Sequence, residues 1–278
     1  MIAKSRIALN RIAAPSLGLA DFYEFAASLG IGKVELRNDI GGKDPIDGMS
    51  AGDAARLASD RGVEVISINA LQKFNLASDR PKALDELKAL VEMAAGIGCK
   101  AIVLCPNNDS ADVRSPELRL SETVDSLVAF APLFRASGLL GYIEPLGFGI
   151  SSLASLLAAQ EAIDKSGHDS YRVLYDTFHH YIGPDDAATL GGPYRVALTG
   201  LVHISGVEAS IPREAYGDKH RVLVGPADIM KSREQMRVLE RLGYEGDYSF
   251  EPFSRDVQKL GKRELGSAIG KSLDFVVA

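Results

Sequence analysis

The chain has 278 residues, 46% hydrophobic and 24% charged, with 37 acidic against 31 basic side chains and a formal net charge of −6. This composition excludes a disordered, collagen-like or low-complexity chain, and its acidic balance leaves no electrostatic excess for wrapping a phosphate backbone, so no nucleic-acid partner is expected. No stretch approaches the ~18 consecutive apolar residues of a membrane span, and Arg11 interrupts what would have to be the core of a signal peptide, so a cytoplasmic protein with no membrane association is expected.

Apolar, β-branched runs then recur with room for one helix between each pair. They are RIALN (6–10), KVELR (33–37), VEVISINA (63–70), KAIVLCP (100–106), LLGYIEPL (139–146), YRVLYDTF (171–178), LTGLVHISGV (198–207) and YEGDYSFEPF (244–253). Helical patterns with caps lie between them: Ser50 precedes one, and Asp79 with Pro81 opens another that Gly96 and Gly98 are expected to stop. Gly30, Gly62, Gly138, Gly167 and Gly243 punctuate the chain shortly before the next run. Cys99 and Cys105 flank a strand, six steps of about 3.3 Å apart, too far for a mutual disulfide; both read as reduced thiols of the core or pocket.

Length alone leaves two domains or one barrel open, since an α/β barrel reaches about 250 residues as a single unit. Eight βα units without a linker or composition shift favour a (β/α)8 TIM barrel occupying residues 1–278 as one domain, over an open doubly wound sheet. The first βα turn lacks G-x-G-x-x-G, which weakens a dinucleotide site, and the phosphate-loop look of Gly266, Gly270, Lys271 and Ser272 is one residue short and lies within a helical pattern.

In such a barrel the active site forms at the C-terminal strand ends. Strand five ends in Glu144, strand six in Asp176, strand seven in His203 and strand eight in Glu251. Three carboxylates converging at ~4 Å repel by ~4 kcal/mol per pair at an effective dielectric of about 20, so the cluster calls for a cation. Three oxygens and one imidazole suit one divalent metal ion: manganese, zinc, cobalt or magnesium. Read singly, the carboxylates are also barrel-mouth acids or a helix cap, and His203 a core histidine; their shared register makes the set. With a hydroxy-ketone bound, such an ion lowers the cost of an enediolate while Glu144 or Glu251 moves the proton. Weaker readings on the same rim are Glu35, Asn69 and Lys73 as polyol contacts. Glu35 with Arg37 also reads as a salt bridge, and Asn69 as a loop cap.

The motifs IEPLG, YDTFHH, VHISG and GDYSFEPF, in this order, resemble the xylose-isomerase-like barrels, which include sugar isomerases, ketose 3-epimerases and hydroxypyruvate isomerase. The segments SINALQKFN (67–75), VLYDTFHHYIG and DKHRVLVGPADI most resemble the 2-keto-myo-inositol (inosose) isomerase branch. The resemblance implies a metal on Glu144, Asp176, His203 and Glu251, with substrate contacts from His179 and Arg221. It implies a keto-inositol (polyol) substrate, 2-keto-myo-inositol going to 1-keto-D-chiro-inositol, and a homo-oligomer. Where the epimerases carry a second glutamate, this chain has Ile150, which favours isomerisation over epimerisation. A polyol- or metal-binding barrel without catalysis is the alternative of a different class.

Overall fold

Eight parallel strands close into a barrel in the order of the sequence. The computed structural model describes residues 2–42 and 44–278. The strands are β1 (Ile7–Asn10), β2 (Lys33–Arg37), β3 (Glu64–Leu71), β4 (Ala101–Leu104), β5 (Leu140–Ile143), β6 (Tyr171–Asp176), β7 (Thr199–Ile204) and β8 (Asp247–Phe250). Each lies within or beside a run read from the sequence. The helices are α1 (Leu19–Ser28), α2 (Ala51–Asp60), α3 (Arg80–Ile97), α4 (Pro116–Ser137), α5 (Leu156–Ser166), α6 (Thr177–Ile182), α7 (Ala187–Gly191), α8 (Ser232–Arg241), α9 (Arg255–Gln258) and α10 (Lys262–Val277). β8 pairs back onto β1 through Ala8 and Ser249, which completes the closure.

Caps behave largely as the sequence suggests. The Ser50 hydroxyl accepts from the Asp53 amide at the start of α2, and Gly98 ends α3 in the left-handed region at φ 80°. Two details differ. Asp79 adjoins α3 without a side-chain cap bond. Gly96 lies inside α3 rather than ending it, because a Cβ there would come within 2.6 Å of the Ala51 Cβ: the glycine lets α3 approach α2.

The pleat sorts each strand into two faces. One face packs against the helices in a continuous apolar layer that includes Leu9, Leu36, Ile68, Val202, Ile204 and Phe250. The other fills the barrel with small and branched residues: Ala8, Ile66, Val103, Leu174 and Leu201. Asp176 is two residues beyond Leu174 and His203 two beyond Leu201, so both continue the interior row towards the rim. Their strands pair directly at Asp176 and His203. Cys99 and Cys105 are free and buried, and among the described residues no helix is long and apolar enough to cross a membrane.

Candidate metal centre at the barrel mouth

Glu144 follows β5, Asp176 ends β6, His203 is the penultimate residue of β7 and Glu251 follows β8. Backbone bonds prolong the ladder at both glutamates: the Glu144 amide donates to Leu104 and the Glu251 amide to Ile204. One ligand atom from each of the four residues lies within 4.8 Å of the others, and all four residues are buried. His203 Nδ1 is 3.1 Å from Glu144 Oε1, 3.1 Å from Glu251 Oε2 and 3.9 Å from Asp176 Oδ2. Asp176 also fulfils the helix-cap reading, because Oδ1 accepts from the Phe178 and His179 amides while Oδ2 faces the cluster.

Two guanidiniums clamp Glu251. Arg37 Nη1 is 2.6 Å from Oε1, and Arg221 Nη2 is 2.7 Å from Oε2 and 2.6 Å from Asp176 Oδ2. Phe253 packs against both guanidinium planes, at 5.0 Å from Arg37 and 4.7 Å from Arg221. Burial works against charge on Glu251, but His203 and the two arginines outweigh it and hold its carboxyl well below the usual range. Burial likewise opposes a charged His203, yet Glu251, Glu35 and Glu144 keep the ring well above its ordinary value when no ion competes. Glu144 has no arginine partner among the described residues; the Cys105 thiol donates to its Oε2 at 3.4 Å. Burial, reinforced by Glu144, pushes that thiol well above the ordinary cysteine range, which keeps it a donor rather than a nucleophile.

The rim readings need correction. Glu35 is not a surface contact: it is fully buried beneath His203, with Nε2 of that ring 3.0 Å away, because β2 directs it into the barrel. Asn69 is no loop cap: it lies in β3 and its side-chain amide donates to Glu35 at 2.9 Å. Lys73 is half-exposed and 3.9 Å from Asp109, on the outer rim. Arg221 reaches the centre, where Nη2 pairs with Asp176 and Glu251, Nη1 lies 3.3 Å from Asp218 and Nε donates to the Ser205 hydroxyl. His179 is buried beside the site, where Nδ1 accepts from the Gly147 amide at 3.2 Å, which leaves the ring proton on Nε2. Burial, with the Arg221 charge, lowers it to about 4, so the ring is neutral at pH 7. Ile150 is exposed and lines a cavity of about 780 Å³ with Phe148, Ile182, Arg213 and Tyr216.

Asn10 and Ser67 escaped the sequence reading, though both donate to Glu35. The interior alternation that pairs Ser67 with Asn69 was the signal available for one of them.

The donor set fits a divalent cation. Glu35, Glu144, Asp176 and Glu251 set four negative charges against Arg37 and Arg221, leaving two once His203 is neutral. Asp39 and Asp218, which bind the outer sides of the arginines, are 38% and 48% exposed and solvated.

Residues 23–276 match the xylose isomerase-like TIM barrel family. The chain belongs to that family. A xylose isomerase domain containing protein from Salmonella typhimurium LT2 is 35% identical over 100% of this chain and 99% of its own, with a TM-score of 0.92. The IolI protein, solved with a bound zinc atom, is 20% identical over 98% of each chain, with a TM-score of 0.88. A D-psicose 3-epimerase from Clostridium cellulolyticum H10, solved with D-tagatose, is 16% identical over 98% of each chain, with a TM-score of 0.76. At these two identities the likeness is one of fold. No curated protein matches this chain in sequence. This xylose isomerase-like barrel thus carries at its mouth a buried cluster able to bind a metal.

Proposed function

We propose that the chain, acting as one barrel domain over residues 1–278, is a metal-dependent isomerase that converts 2-keto-myo-inositol to 1-keto-D-chiro-inositol. The observation that carries this reading is the enclosed cluster of Glu144, Asp176, His203 and Glu251, which together with Glu35 behind His203 sets two negative charges in excess of Arg37 and Arg221. One divalent ion, manganese, zinc, cobalt or magnesium, neutralises that excess when bound and polarises a ketone with its neighbouring hydroxyl. A centre so balanced suits an uncharged polyol.

The chain's own groups then divide the work. Glu251, with an arginine on each oxygen, is held as a carboxylate and is a weak proton acceptor. Glu144 lacks that clamp and carries the carbon-bound proton from the hydroxyl-bearing carbon to the former ketone carbon through a cis-enediolate, while the hydroxyl proton passes to the former ketone oxygen. His179, neutral with its proton on Nε2, donates to a substrate oxygen. The enclosure of these groups excludes water that would scatter the proton. The inosose-isomerase resemblance of residues 67–75 supports the choice of substrate, and the zinc in the IolI structure supports a metal at the corresponding mouth.

The test is direct. Metal-loaded protein is incubated with 2-keto-myo-inositol in deuterated water and followed by NMR; product formation is expected, with most of the transferred hydrogen retained rather than exchanged for deuterium. Unchanged spectra at high enzyme concentration reject the substrate assignment. Turnover of open-chain ketoses instead would favour a 3-epimerase or hydroxypyruvate isomerase, against which Ile150 stands. Ligand binding without turnover of any keto-polyol would favour a sensor barrel.

A further inference from the structure

We propose that Glu35 is the positioning residue of this metal centre, holding His203 in the orientation and tautomer that present Nδ1 to the ion. The inference rests on the metal-site reading above and deepens it. Glu35 lies on β2, outside the four-residue cluster. Its two oxygens are 3.0 and 3.1 Å from Nε2 of His203, while Nδ1 of the same ring is the atom that faces Glu144 and Glu251. An imidazole that gives its Nε2 proton to a carboxylate keeps the Nδ1 lone pair for a cation, and the negative charge behind the ring makes that nitrogen a stronger donor to metal.

Glu35 is itself fixed. Its oxygens accept from the Asn10 amide on β1 at 3.1 Å, from the Ser67 hydroxyl and from the Asn69 amide at 2.9 Å, both on β3. With the residue fully buried, no solvent competes for these bonds. Strands β1, β2, β3 and β7 therefore converge on one carboxylate whose position sets the direction of one ring. A carboxylate that merely filled the core would not need to meet the ring nitrogen opposite the cluster.

The test uses the full chain with Co²⁺ as probe, titrated by calorimetry and by visible absorption, comparing wild type with Glu35→Gln. The glutamine keeps the shape and removes the charge. The expected result is about a 10- to 100-fold loss of Co²⁺ affinity with an altered absorption band. In the zinc-loaded protein, the downfield Nε2–H proton of His203 is expected to shift in the variant. If Glu35→Gln does not fold, Asn69→Ser decides, because it leaves the carboxylate charged and removes a group that fixes it; a smaller loss of affinity is expected. Wild-type affinity and spectrum in a folded Glu35→Gln, or in Asn69→Ser where that variant must serve, overturn the role of Glu35. A wild type that takes up no Co²⁺ overturns the metal-site reading itself.

Discussion

Replacing Arg221 with methionine removes a buried cation while keeping most of its volume. The guanidinium stands 2.6 Å from Asp176 and 2.7 Å from Glu251, and the arginine side chain is 1% exposed. Glu251 keeps Arg37, but Asp176 retains only its backbone cap and a 3.9 Å approach to His203. Breaking a buried pair from one side costs about 3–5 kcal/mol, because the remaining charge is left uncompensated. At about 2–4 °C per kcal/mol, the metal-free variant should unfold about 6–20 °C below wild type. An ion at a hundred times its Kd adds about 2.7 kcal/mol to wild type. It should add more to Arg221→Met, where it compensates carboxylates that have lost their guanidinium. Calorimetric unfolding with and without Mn²⁺ reads both quantities. An equal deficit in the two conditions would refute the reasoning, since arginine and ion would then not act on the same carboxylates.

His180 packs against the Tyr175 ring and faces Arg213 and Asp186, with Nδ1 buried and unpaired among the described residues. Burial, aided by Arg213, lowers it to about 4, below its ordinary 6.5. The unfolded chain therefore takes up this proton first, and the stability held above pH 6.5 is lost as pH falls towards 4. Between pH 6.5 and 5 that is roughly 2 kcal/mol, which His180→Phe should remove from the pH dependence of chemical denaturation. An unaltered slope in that variant would show that His180 is not buried neutral. Gly96→Ala places a methyl 2.6 Å from the Ala51 Cβ and should destabilise by about 1–3 kcal/mol in urea melts; a neutral result would mean α2 and α3 separate freely. Lys73→Ala should change stability by less than about 0.5 kcal/mol and leave turnover intact, since its nearest acid is 3.9 Å away and it is half-exposed. A large loss of turnover would return Lys73 to the substrate site.

Much of the architecture was legible in the chain because its signals are local. A β-branched run followed by a capped helix needs no distant partner to be recognised, and eight of them leave few topologies. The four clustered residues were legible for a related reason: a parallel barrel brings every strand's C-terminal end to one rim, so position along a strand stands in for position in space. Glu144, Asp176, His203 and Glu251 follow from that rule. Gly96 does not, since its reason is a neighbouring helix rather than its own.

The hydrogen-bond commitments of Glu35, Asn69 and Arg221 had no such local signal. Glu35 and Asn69 lie towards the C-terminal ends of β2 and β3, and strand register alone assigns both to the ligand-facing rim; Arg221, in the loop after β7, was reached only through the family resemblance. Their partners come from residues as far as 168 positions away, as with Glu35 and His203. Strand closure decides which polar side chains meet first, and a buried charge takes the partner that compensates it before any ligand arrives. The strand pattern thus settles which residues can gather at the mouth, whereas packing across the closed barrel settles which hold the cation's ligands in place and which remain to meet a substrate.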